Sequence, residues 1–242
     1  MQIVSQIAGY LKYRFTSHNR LLLLLMLLVI GLRIAAMLSL KQTIYFENLL
    51  IDEKLYHNWA LKILNGTGGS AVYEMSPLFA YVMAFVYLLI SPNVLYIRFL
   101  NIVLGCGTCL TIYGITKALS DKQTALVALL ISGGFSPFIL YSIVPLKTSL
   151  SVLLFSLFVR QLIRVIKKQE VIQIAFLGLL SGIMINVREN YLIVLSVTPI
   201  LIFWICWKKK HTETGIDLPN CLYPRSSGGY FTVSCPKLFR FE

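Results

Sequence analysis

The 242-residue chain is 57% apolar and only 13% charged, with a mean hydropathy of +0.75. Soluble domains carry roughly 25% charged residues, so this composition excludes one. The net charge of +12 does not indicate nucleic acid, because Lys and Arg sit between apolar runs and form no single basic face.

A helix needs ~20 residues to cross a bilayer and satisfies its backbone internally, so the expected class is an all-α, multi-span membrane protein. Residues 1–20 form a basic N-terminus with Lys12, Arg14 and Arg20. Leu21–Leu40 is the first span, and its one charge, Arg33, either snorkels or faces the bundle interior. A signal peptide would have a shorter apolar core and a small-residue cleavage site.

Ile51–Pro77 breaks the apolar pattern. It reads IDEKLYHNWALKILNGTGGSAVYEMSP and holds Asp52, Glu53 and Glu74, three of the ten acidic residues. Asn65-Gly66-Thr67 fits a glycosylation sequon but reads more simply as a turn with Gly68-Gly69. Leu78–Ile90 is apolar but too short to span, so it is expected to lie at the interface or to re-enter. Five further runs follow, at 97–116, 124–145, 148–166, 171–187 and 191–207. Pro137, Pro145 and Pro199 are candidate kinks, and Gly178-x-x-x-Gly182 is a candidate close helix approach.

The bias of Lys and Arg toward the cytoplasm chooses the topology. With Leu78–Ile90 outside the membrane, six spans place twelve basic residues inside and six outside. The outside six are Lys41, Lys54, Lys62, Arg98, Lys147 and Arg188. If Leu78–Ile90 spans, the counts invert. The six-span arrangement also puts Glu47, Asp52, Glu53, Glu74 and Glu189 on the external face. The expected organisation is a cytoplasmic segment 1–20, a transmembrane domain 21–207 with an external loop 41–96, and a cytoplasmic tail 208–242. The tail has no helical period and reads either as an extramembrane segment or as a shifted reading frame.

Asp52 or Glu53 could act as general base, since burial at a membrane face would raise a carboxylate pKa toward a useful range. Adjacent acids are also ligands for a divalent cation, and the competing reading is a solvated pair of loop charges. Arg98, Lys147 and Arg188 run against the charge bias and could hold a phosphate. Snorkelling, or neutralisation of Arg188 by Glu189, is the alternative. Tyr56 and its aromatic neighbours suit an interfacial belt or the lining of a sugar site. His18, His57 and His211 are too scattered for a metal site, and Cys106-x-x-Cys109 reads as packing rather than redox chemistry.

The order of these features resembles the GT-C superfamily of polytopic glycosyltransferases, in particular the branch related to protein O-mannosyltransferases. The resemblance covers roughly residues 20–207. It rests on Asp52-Glu53 with Tyr56, Glu74-Met75-Ser76-Pro77-Leu78, Arg98-x-x-Asn101 before Gly105, Ser136-Pro137-Phe138, Lys147-Thr148 and Val187-Arg188-Glu189-Asn190. It implies sugar transfer from a polyprenyl-phosphate donor to an acceptor on the external face of a membrane, with a bacterial inner membrane favoured. Asp52 would be the catalytic acid position, with Glu53 beside it. Glu74 would be a second acid near the cavity, and Arg98, Lys147 and Arg188 would be phosphate contacts. The family usually has Arg-Pro-Asn where this chain has Arg188-Glu189-Asn190, and its members continue through more spans. The expectation is therefore a front half that is inactive alone. The alternative is a non-catalytic subunit or lipid-linked-sugar carrier that partners a larger transferase.

Overall fold

The computed structural model describes residues 17–67, 75–168 and 170–213. They contain nine α-helices, one 3-10 turn and no strand. In order these are α1 (Ser17–Lys41), α2 (Ile51–Leu64), α3 (Leu78–Leu89), α4 (Val94–Leu119), α5 (Lys122–Gly134), α6 (Ser136–Ile143), α7 (Thr148–Lys168), α8 (Val171–Ile185), the turn Glu189–Tyr191, and α9 (Leu192–Glu213). The chain forms two units, Met1–Leu195 and Ser196–Glu242. Glu74 and the tail from residue 214 lie outside the described residues.

All six apolar runs expected to span are helical, but their lengths differ. Helices α1, α4 and α7 are long and apolar enough to cross a membrane. The run expected as one span at 124–145 is α5 and α6, bent by 55° at Phe135. Phe135 is extended (φ −67°, ψ 112°) and Pro137, at the start of α6, has no N–H to continue the α5 ladder. Counted together, the bent pair makes a fourth crossing. Helix α8 has 15 residues, and at ~1.5 Å per residue it falls short of a ~30 Å hydrocarbon core. The last expected run is the 3-10 turn Glu189–Tyr191 followed by α9, whose backbone is helical for 22 residues. The backbone of α9 stays helical to Glu213, past the boundary expected at 208.

Helices α2 and α3 fill the first loop. Asn65 ends α2 and Gly66 follows with φ +72°, which an L side chain adopts only under strain. Gly66 N–H donates to Ile63 O and Thr67 N–H to Lys62 O at 2.9 Å, closing a Schellman motif. Helix α3 is too short to cross, as expected of Leu78–Ile90. Tyr56 and Ala60 of α2 pack with Phe79, Met83 and Tyr87 of α3 and Ile97 of α4.

Val29 and Met37 of α1 pack with Cys106 and Cys109 of α4, Leu129 of α5 and Ile143 of α6. Lipid is as apolar as these side chains, so close backbone approach and polar contacts must supply the helix–helix attraction. Arg33 is fully enclosed and donates to Val29 O, Gly133 O and Cys109 Sγ. It therefore faces the bundle interior. A Cβ on Gly105 would lie 2.9 Å from Ser142 Cβ and 3.1 Å from Arg33 Nε, and one on Gly133 would overlap Val29. Among the described residues nothing makes the expected approach at Gly178 and Gly182, where an added Cβ would meet no atom within 4 Å. On α7, Ser149, Ser151, Ser156 and Gln161 are buried, away from lipid.

Candidate active site

The expected site residues other than Glu74 collect at one end of the bundle, where the first loop, the start of α4, the α6–α7 turn and the α8–α9 turn meet. Asp52 and Glu53 occupy the first turn of α2, where carboxylates favour the positive end of the helix. They face different surroundings. Asp52 is exposed, whereas Glu53 is 5% exposed and its Oε2 accepts the Leu50 N–H at 3.3 Å. Burial, partly offset by the Leu50 hydrogen bond and the charge of Arg98, raises the Glu53 pKa. The burial expected for a catalytic carboxylate thus falls on Glu53, while Asp52 is the acid open to a substrate. Among the described residues, no group of three or more His, Cys, Asp or Glu side chains is placed to hold a metal ion.

Tyr56, one turn after Asp52, is buried and donates to Ser76 O at 3.4 Å. Its ring meets Phe79 edge-on at 5.4 Å and stacks on Trp59 at 6.2 Å. Lys147 Nζ stands 5.6 Å from the centre of the Tyr56 ring. Burial, with the charges of Asp52 and Glu189 against that of Arg188, pushes the Tyr56 hydroxyl up to about 12. Tyr56 therefore stays protonated at neutral pH.

Asn101 braces the turn that leads into Lys147. Its Nδ2 donates to Val144 O at 2.6 Å and Leu146 O at 3.1 Å, which sets the turn around Pro145. Burial and the neighbouring Arg188 lower the Lys147 pKa, opposed by Glu189 and Asp52. Arg188 donates through Nη2 to Thr148 Oγ1 at 3.3 Å, and its buried Nε has no partner. Glu189 turns elsewhere and accepts from Ser76 Oγ at 3.0 Å. Arg188 and Glu189 thus use separate partners. Leu78 N–H donates to Asn186 O, a second tie between the start of α3 and the α8–α9 turn.

Arg98 stands apart from the other two cations. It is 2% exposed, donates to Phe46 O at 2.9 Å, lies 4.2 Å over the Phe46 ring, and has Glu53 as its charged neighbour. The structure therefore assembles Asp52, Tyr56, Lys147 and Arg188 with Glu189, and sets Glu53 with Arg98 beside them. Sequence reasoning gave Ser76, Asn101 and Thr148 no role. They stand in the motifs that carry the resemblance, and that was the one signal available.

An all-α membrane bundle with a charged, aromatic, helix-bearing first loop has the architecture of a GT-C membrane glycosyltransferase. The dolichyl-phosphate-mannose-protein mannosyltransferase family matches residues 74–217, more than half of the chain, and the chain belongs to that family. The matched segment holds Glu74, Arg98, Lys147 and Arg188, while Asp52, Glu53 and Tyr56 precede it. No curated protein and no solved structure matches the chain.

Proposed function

We propose that this end of the bundle carries out glycosyl transfer from a polyprenyl-phosphate sugar on the external face of a bacterial inner membrane, with the N-terminus cytoplasmic. The observation that carries this reading is the convergence of an exposed carboxylate, Asp52, with two cations, Lys147 and Arg188, from three distant parts of the chain. The acceptor oxygen attacks the anomeric carbon, and its proton passes to the Asp52 carboxylate. The bond from that carbon to the donor phosphate breaks, and the phosphate leaves with the electron pair. Lys147 and Arg188 stabilise the charge growing on it. The unpartnered Nε of Arg188 is a donor with no other use in the fold.

Glu53 supports this arrangement by ordering the first turn of α2, and Tyr56 positions the aromatic wall beside Lys147. The acceptor, and the help of further segments or of a larger transferase partner, belong to the whole assembly. The test is transfer from a polyprenyl-phosphate sugar by the membrane-embedded protein. Asp52→Asn should lower the rate about 100-fold or more without changing membrane insertion. An unchanged rate removes Asp52 as the base.

A further inference from the structure

We propose that the cavity beside the start of α4 binds a phosphate group and is separate from the Lys147–Arg188 cluster. The cavity measures about 570 Å³ and is lined by Phe46, Glu47, His57, Asn93, Leu95 and Arg98, among others. That volume lies in the ~300–1,000 Å³ range of small-molecule sites.

Three features favour an anion there. Arg98 is almost wholly buried on the cavity wall, and its Nη1 is enclosed without a hydrogen-bond partner. An unpartnered donor on a permanent cation is costly, and a guanidinium matches the oxygens of a phosphate. The 26-residue α4 begins at the same wall, with Asn93 as its cap, so its unpaired N–H groups and dipole add positive potential. His57 also lines the cavity, held in place by a 2.8 Å hydrogen bond between its Nδ1 and the Tyr87 hydroxyl and by edge-on contact with the Tyr87 ring.

Two acids oppose these features. Glu47 is exposed, and water screens it. Glu53 is buried beside Arg98, and its carboxylate offsets part of the guanidinium charge without hydrogen-bonding the unpartnered Nη1. The site uses other partners than the proposed transfer does, because Arg98 turns to Phe46 and Glu53 while Lys147 has Arg188, Glu189 and Asp52 as charged neighbours. The ligand is a phosphate ester, supplied either by an anionic lipid headgroup at the membrane surface or by a soluble molecule.

The experiment uses the full chain in phosphatidylcholine nanodiscs, titrated with inorganic phosphate and followed by phosphorus NMR. A parallel set compares thermal unfolding in phosphatidylglycerol and phosphatidylcholine. Asn93→Ser keeps a neutral helix cap, whereas Asn93→Asp keeps the cap and adds a carboxylate to the cavity wall. The native protein and Asn93→Ser should respond to phosphate or to phosphatidylglycerol. Asn93→Asp and Arg98→Gln should respond about tenfold more weakly. Phosphate binding assigns the soluble source, and stabilisation by phosphatidylglycerol alone assigns the lipid. If Arg98→Gln fails to fold, the Asn93 pair decides the matter. The proposal is overturned if the native protein responds to neither probe, or if Asn93→Asp responds like Asn93→Ser. It is also overturned if Lys147→Gln weakens the response as much as Arg98→Gln does.

Discussion

Asp52 and Glu53 are neighbours in sequence, and nothing in their letters separates them. Their separation comes from the helix that starts at Ile51, whose first turn points one carboxylate at solvent and the other at Leu50 and Arg98. A pair of acids near a membrane face was legible in the sequence, but the choice between them was not, because it depends on side-chain direction. The same reason hid the division of the cations, since Arg98 turns to Phe46 while Lys147 and Arg188 stay together. The Glu53 environment makes a prediction about pH. Its folded pKa is raised above 4.5, chiefly by burial, so folding favours the protonated acid. The stability Glu53 contributes is complete below its unfolded pKa and is lost as pH rises through its folded value. The difference in unfolding free energy between the native protein and Glu53→Gln should therefore change as pH rises above 4.5 and be flat at lower pH. A flat difference throughout would mean that Glu53 is not desolvated.

Apolar runs located every helix expected to span, because length and hydrophobicity are properties of local sequence. Interruptions and contacting faces were less legible. Pro137 was a visible candidate for a kink, yet the 55° break needs the extended Phe135 before it. Gly178-x-x-x-Gly182 has the spacing of a contact face but no neighbour among the described residues, whereas the close approaches occur at Gly105 and Gly133, which show no such spacing to each other. Spacing says which residues share a face and cannot say what the face meets. Two alanine substitutions separate these cases. Gly133→Ala puts a methyl against Val29, itself 1% exposed, and should destabilise the bundle by about 1–3 kcal/mol. Gly178→Ala meets nothing and should be neutral or stabilising by up to ~1 kcal/mol, from helix propensity alone. Unfolding in mild detergent measures both, and equal effects would mean that the α1–α5 contact is looser than described.

At the scale of the molecule, the proposed chemistry requires one end of the bundle to face outward. The residues at that end belong to α2, α4, the α6–α7 turn and the α8–α9 turn, and hydrogen bonds join them: Tyr56 to Ser76, Ser76 to Glu189, Asn101 to Val144, and Arg188 to Thr148. The opposite end carries Lys117, Lys122, Arg160, Arg164 and Lys167, and the bias of Lys and Arg toward the cytoplasm predicts that this end faces inward. Cysteine labelling can read this orientation in a background where all five native cysteines, Cys106, Cys109, Cys206, Cys221 and Cys235, are replaced by Ala. Asn65→Cys, on the exposed turn that ends α2, should react with a membrane-impermeant maleimide added to intact cells. Ser120→Cys, on the exposed turn before α5, should react only after the membrane is opened. The reverse pattern would place Asp52, Lys147 and Arg188 in the cytoplasm, and an externally presented lipid-phosphate sugar could not reach them. Reaction of both sites from outside would instead mean that α4, which lies between them, does not cross the membrane.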